Sequence, residues 1–147
     1  MTMTLAVDPG TTSSGWCLFD GARVLDSGEL ENRAMLERIR DSDADVLALE
    51  MVESFGMAVG REVFETVRWI GRMQQCWRDP EAVRLVYRRE VKLHLCQSPR
   101  AKDANIRQAL IDKLGPVGVK KQPGPLYGVK SHAWSALGVA VTAAGLS

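Results

Sequence analysis

Two carboxylates stand where apolar strands end, and no other pattern in the chain points so directly to chemistry. Asp8 closes Leu5-Ala6-Val7 and opens the run Pro9-Gly10-Thr11-Thr12-Ser13-Ser14-Gly15, while Glu50 closes Val46-Leu47-Ala48-Leu49. If the two strands are neighbours, the carboxylates converge at one end of a sheet, where buried like charges are costly unless a cation lies between them. Hard oxygen donors favour Mg2+ or Mn2+, which keep positions open for phosphate and water. Two ions roughly 3.5–4 Å apart would activate a water and stabilise a leaving 3′ oxygen, which is phosphodiester hydrolysis. Each acid has other readings. Asp8 could sit in a phosphate-cradling turn of backbone N–H groups or form an Asx-type turn, and Glu50 could be a surface acid at a strand edge. Glu53 competes with Glu50, but the apolar run ends on Glu50.

Alternation and β-branching predict a strand over Met3–Val7, then strands Gly15–Asp20 and Arg23–Glu29 joined by an Asp20-Gly21 hairpin turn, an antiparallel trio. A short helix from Asn32 or Arg33 to about Arg40 leads to the strand Asp43–Glu50. A long helix over Gly60–Arg78 carries Val63, Val67, Ile70, Gln74 and Trp77 as one mostly apolar stripe. Val83–Tyr87 is a further strand. Asp103–Leu114 is a helix with Gly115 just past its end, and the last helix runs from about Ser131 to Ala144. Between them, Gly115–Lys130 holds four glycines and three prolines, a composition that argues against regular structure. Its Lys120, Lys121, Lys130 and Tyr127 suit a loop lying against nucleic acid. The elements imply an α/β mixed sheet flanked by helices, in one domain spanning residues 1–147.

The chain is 147 residues, 46% apolar and 25% charged, enough to bury a real core. No apolar run approaches the roughly 20 residues of a membrane helix, so a soluble intracellular protein is expected. Cys17, Cys76 and Cys96 lack paired spacing and read as reduced packing residues; His94, between Leu93 and Leu95, reads as packing or surface. Net charge is +1, but unevenly spread. Residues 1–83 hold 8 Lys/Arg against 15 Asp/Glu, net −7, and residues 84–147 hold 11 against 3, net +8. The basic part, with Arg88, Arg89, Lys92, Arg100, Lys102 and Arg107 among its cations, suits a face that tracks a phosphate backbone; a solvated surface is the other reading.

The stretch Lys130-Ser131-His132-Ala133-Trp134-Ser135-Ala136-Leu137 resembles the last helix of RuvC-type Holliday junction resolvases, where an acid or His precedes by three residues an Asp followed by Ala-Leu. Val7-Asp8-Pro9-Gly10, Leu49-Glu50 and Lys102-Asp103-Ala104-Asn105-Ile106-Arg107-Gln108-Ala109-Leu110 fall in the family's order, so the resemblance covers nearly the whole chain. The last of these, with Pro123-Gly124-Pro125-Leu126-Tyr127-Gly128-Val129-Lys130-Ser131-His132, looks most like the short bacteriophage-encoded branch. The resemblance implies a ribonuclease H-like five-stranded sheet, antiparallel first and then parallel. It implies a homodimer acting on four-way and other branched DNA in the host-cell cytoplasm, with two Mg2+ ions per site, Mn2+ substituting, and 5′-phosphate and 3′-hydroxyl ends as products.

By position, Asp8 and Glu50 match the family's first two catalytic acids, and His132 matches its acid-or-His position, as metal ligand or as a group that steadies the attacking water. Ser135 departs from the family's last Asp, and a hydroxyl is a poorer Mg2+ ligand than a carboxylate. Asp103 is the candidate replacement ligand; its competing role is the N-cap of its helix. Trp134 reads as core. The Gly60–Arg78 helix, through Gly71, Met73 and Trp77, is the expected dimer surface or else covers the sheet within one subunit. The loop Ser54–Gly60 bears Phe55, suited to stacking on an unpaired base, with Arg61 and Arg68 near the backbone.

Three classes follow. The first is a metal-dependent, structure-selective endonuclease. The second is a catalytically weak or inactive branched-DNA binder, with Ser135 as the reason. The third is an actin-like ATPase fragment, suggested by Asp-Pro-Gly-Thr-Thr; it needs a second phosphate loop and a duplicated fold for which 147 residues are too few, so no nucleotide cofactor is expected.

Overall fold

The two-residue period of the strands sorts side chains between two helical layers, and that sorting decides where the acids go. The computed structural model describes residues 1–145. β1 (Thr4–Asp8) pairs antiparallel with β2 (Ser13–Phe19), and β2 with β3 (Val24–Glu31). At the hairpin turn, Asp20 Oδ1 accepts the N–H groups of Ala22 and Arg23 at 2.8 and 2.6 Å. After α1 (Asn32–Asp41), β4 (Val46–Met51) runs parallel to β1. α2 (Arg61–Cys76) then leads to β5 (Arg84–Tyr87), parallel to β4, giving the order β3-β2-β1-β4-β5. α3 (Arg88–Cys96), α4 (Asp103–Leu114), a small hairpin of β6 (Gly118–Val119) with β7 (Gln122–Pro123), and α5 (His132–Ala144) follow. This is the mixed five-stranded, helix-flanked α/β sheet expected from the sequence.

Leu5, Val7, Trp16, Leu47 and Leu49 face α1 and α2, where Met35, Ile39, Ile70, Met73 and Trp77 close one core. Ala6, Cys17, Phe19, Ala48 and Val86 face α3, α4 and α5, meeting Val91, Leu95, Ile106, Leu110 and Leu137. Each large apolar side chain so buried contributes about 1.5–3 kcal/mol. By alternation, Asp8 shares a face with Ala6 and Glu50 with Ala48. The small Ala6 and Ala48 lie in the same core as Ala133, Ala136 and Ala140, which lets α5 pack close on the sheet at the acids' end.

Four local expectations need correction. α3 is an unforeseen helix: only Val91 and Leu95 are buried in its nine residues, and it stops at Gln97 in the left-handed region (φ 54°) with no glycine to mark the end. In α2 the buried stripe is Thr66, Ile70, Met73 and Trp77. Val67 is exposed instead, and Gln74 Nε2 donates to the Pro80 carbonyl at 3.0 Å. Met73 and Trp77 are therefore interior residues and offer no dimer surface. Residues 115–130 are not irregular throughout: β6 pairs with β7, Gly118 takes a positive φ of 73°, and Leu126 and Val129 join the core. Pro123 is tolerated because both strands of this two-stranded hairpin are edges. Among the described residues no helix is long and apolar enough to cross a membrane, and the three cysteines are free thiols.

Candidate active site

Parallel pairing of β1 with β4, in the register Val7↔Leu49, sets Asp8 beside Glu50. Both are largely buried, with side chains only 14% and 15% exposed, and the charge of each bears on the other. Burial is the main cause that raises the Asp8 carboxyl above its ordinary value, opposed by the nearby charges of His132 and Arg88. Glu50 is pushed up to about 8, by burial first and by the Asp8 carboxylate second. Two neighbouring acids whose proton affinities are raised by desolvation are candidates for a functional site. Glu53 lies exposed in the following loop, away from this pair.

His132 reaches Asp8 because β2 carries a glycine at the opposing position. Asp8 pairs with Gly15, and Gly15 with Glu29, so three strands present one row beneath the start of α5. A Cβ on Gly15 would stand 2.5 Å from the His132 carbonyl oxygen and 2.7 Å from its Cβ. On that seat, His132 Nδ1 lies 3.3 Å from Asp8 Oδ2, and the His132 N–H donates to Glu29 Oε1 at 3.2 Å. This N–H, with the Ser131 hydroxyl, holds the Glu29 carboxyl below its usual range. Ser131 makes the turn into α5 with a positive φ of 51°, a strained state for a non-glycine residue.

The segment after Asp8 is tied down by two buried residues whose role sequence reasoning missed. Ser14 Oγ accepts the Gly10 N–H at 3.3 Å and donates to Asn32 Oδ1 at 2.6 Å. Asn32 Nδ2 donates to the Gly10 carbonyl at 2.8 Å, and its N–H to the Thr12 carbonyl at 2.9 Å. The Gly10 N–H is thus spent within the turn instead of being offered to a phosphate. A buried Asn opening an otherwise ordinary amphipathic helix was the available signal.

Arg88, expected on a DNA-binding surface, lies inside the site. It follows β5 directly, and β5 neighbours β4 in the register Glu50↔Val86, so the guanidinium arrives over the acids. Nη1 lies 3.6 Å from Glu50 Oε1, and Nη2 makes a short ion pair with Asp103. Asp103 is not the N-cap. Lys102 holds that position and donates its N–H to Asn105 Oδ1 at 2.9 Å, while the 90%-exposed Asp103 side chain takes the charge-assisted bond to Arg88. Arg88, Asp103, Arg107, His132, Trp134 and Ser135 line a cleft of about 430 Å3. Trp134, expected in the core, is half-buried in this wall with the Arg107 guanidinium 4.6 Å from its ring centre.

Glu50 Oε1 is buried without a hydrogen-bond partner, and the Asp8 and Glu50 oxygens are hard donors that want a counter-charge. These two acids fit Mg2+ or Mn2+, which need only one or two protein carboxylates beside water and substrate phosphate. A closed cage is absent: among the described residues no group of three or more His, Cys, Asp or Glu is placed to hold a metal.

No family model and no curated protein matches the chain. Among solved structures, that of Thermus thermophilus RuvC superposes with a TM-score of 0.71, covering 98% of this chain and 94% of that one at 19% identity. T. thermophilus RuvC in complex with a Holliday junction substrate gives 0.70, over 97% and 92% at 20% identity. The chain has the ribonuclease H-like fold of RuvC.

On this RuvC fold the remaining expected DNA contacts scatter over the surface. Phe55 is 65% exposed, with a positive φ of 52°, at the loop between β4 and α2. Arg61 and Arg68 are exposed on α2, Arg89 on α3, and Arg100 and Lys102 before α4. Lys92 is half-buried, Lys120 and Lys121 form the exposed hairpin tip, and Tyr127 and Lys130 are exposed before α5. Of the expected cations, Arg88 and Arg107 line the cleft itself.

Proposed function

We propose that this chain is a single-domain, metal-dependent, structure-selective endonuclease that resolves four-way junctions and other branched DNA by phosphodiester hydrolysis. The products are 5′-phosphate and 3′-hydroxyl ends. The observation that carries the reading is the Asp8–Glu50 pair, two largely buried carboxylates side by side, in contact with His132 and Arg88 of the cleft wall. The fold it shares with a RuvC captured on a Holliday junction substrate supports the same ligand class.

Asp8 and Glu50 would hold Mg2+, with Mn2+ substituting; a second ion of the expected pair would have to draw on His132 or Asp103. When bound, the metal supplies Lewis-acid polarisation of the phosphoryl oxygens. His132 turns Nδ1 to Asp8, which leaves Nε2 to take the proton of the attacking water. That water's oxygen bonds to phosphorus as the bond to the 3′ oxygen breaks, and the 3′ oxygen leaves with a proton from solvent. A four-way junction is two-fold symmetric, so paired cuts call for a homodimer. The exposed side of α2, with Phe64, Val67 and Gly71, is the surface offered for it, and Phe55 is positioned to stack on an unpaired base. The setting is the cytoplasm of a phage host.

One observation favours a second reading, a catalytically weak or inactive junction binder: the cleft residue beside His132 is Ser135, with no carboxylate of its own. Incubation with labelled four-way junction, flap and linear duplex in Mg2+ or Mn2+ separates the readings. Cleavage of branched DNA that Asp8→Asn abolishes is the expected result. Junction binding with no nicking selects the binder, and cleavage of linear duplex alone, or cleavage untouched by Asp8→Asn, overturns the resolvase assignment.

A further inference from the structure

Arg88 sits where a second cation would be needed, and its bonding is incomplete. Nη2 is engaged by Asp103, but Nη1 and Glu50 Oε1 meet only as an ion pair at 3.6 Å, beyond hydrogen-bond reach, and each is buried with no hydrogen-bond partner. A buried donor on a permanently charged group is expensive to leave unmade. The guanidinium cannot drift to solvent to satisfy it, since strand β5 delivers Arg88 over Glu50 and Asp103 holds its outer edge. What such a donor fits is an anionic oxygen entering beside the acids, and a phosphodiester brings one.

The acids point the same way. Ser135 contributes no carboxylate, Asp103 is already paired, and no three acidic or imidazole groups are gathered for metal among the described residues. One divalent ion together with the guanidinium balances Asp8, Glu50 and a phosphodiester charge for charge, leaving over only the charge of the solvent-exposed Asp103. A second ion would leave excess positive charge in a partly buried site.

We infer that Arg88 is a catalytic residue supplying the site's second positive charge: it donates Nη1 to a non-bridging oxygen of the scissile phosphate, and the site takes one divalent ion instead of two. The inference rests on the nuclease reading. In the hydrolysis step the guanidinium stays charged and transfers no proton; it holds the charge that grows on the phosphoryl oxygens as water adds and the 3′ oxygen departs.

Mn2+ titration of the full chain, followed by the loss of free-ion magnetic resonance signal and by calorimetry, reads this without turnover. The expected result is one ion per chain, bound at least about tenfold more tightly in Arg88→Gln because a like charge is gone. Junction cleavage by Arg88→Gln should fall about 10^2–10^3-fold, with Arg88→Lys partly restoring it, and circular dichroism should show both variants folded. Two ions per wild-type chain, or Arg88→Gln cleaving within about threefold of wild type, overturns the inference while leaving the nuclease reading intact. A wild type that binds one Mn2+ but never cuts branched DNA fails the nuclease reading instead, and the Arg88→Gln affinity change still reports on the cation role.

Discussion

Neutralising Glu50 should stabilise the protein while destroying its chemistry. In the folded, metal-free chain the Glu50 carboxyl is raised from 4.5 to about 8, by burial first and then by Asp8. A group whose folded value lies above its unfolded one contributes stability that is fully present below the unfolded value and is lost as pH rises through the folded one. The window here runs from about pH 4.5 to about pH 8. At about 1.4 kcal/mol for each tenfold change in proton affinity, the loss across that window is about 5 kcal/mol as a ceiling. For a chain of this size that is a fall in Tm of roughly 15 °C. Asp8, raised for the same main reason, acts in the same direction.

The assay is thermal unfolding in EDTA from pH 5 to pH 8.5. Wild type should melt at lower temperature as pH rises. Glu50→Gln should match it near pH 5, where Glu50 is already protonated, and exceed it by several degrees at pH 8.5. Adding Mg2+ at pH 8.5 should raise the Tm of wild type but not of Glu50→Gln, whose junction cleavage should be lost. A wild-type Tm flat across the window, or a Glu50→Gln slope as steep as wild type, would show that the acids are not held against each other in a poorly solvated site.

Two other substitutions probe how the site is held and paired. Gly15→Ala puts a Cβ against the His132 backbone, so it should destabilise by about 1–3 kcal/mol and cut cleavage disproportionately by lifting the imidazole from Asp8; unchanged melting and activity would dismiss the seat. Phe64→Asp, on a 60%-exposed position of α2, should leave the monomer fold intact and shift sedimentation from dimer to monomer; a dimer that persists would move the interface elsewhere.

What could be read in advance follows the range of the interactions involved. Asp8 and Glu50 were legible because a strand's two-residue period ties the last residue's face to the apolar run before it. His132 was legible only through the family resemblance, because its meeting with Asp8 depends on Gly15, on another strand. Arg88 was hidden in a basic run, where one more cation looks like surface; only the β4–β5 register brings it over Glu50. The Ser14–Asn32 clamp spans 18 residues and leaves no local pattern. α2 was found but turned slightly wrong, because Thr66 is buried where hydrophobicity alone selects Val67.

On the proposed reading, the same geometry accounts for a cation site in which Ser135 stands at the position of a carboxylate. Glu29 caps the start of α5, Gly15 lets it approach, and the alanines of α5 and of the strands let it stay close; together they bring His132, not Ser135, against Asp8. With His132 committed to Asp8 and Arg88 bridging toward Glu50 and Asp103, a fixed positive charge stands beside the acids before any metal or phosphate arrives. On the proposed reading, a site arranged this way gives up some affinity for divalent ions in exchange for a fixed positive donor. Its metal dependence should therefore shift toward higher Mg2+ concentration, and Ser135→Asp, which returns a carboxylate to the cleft wall, should move it back.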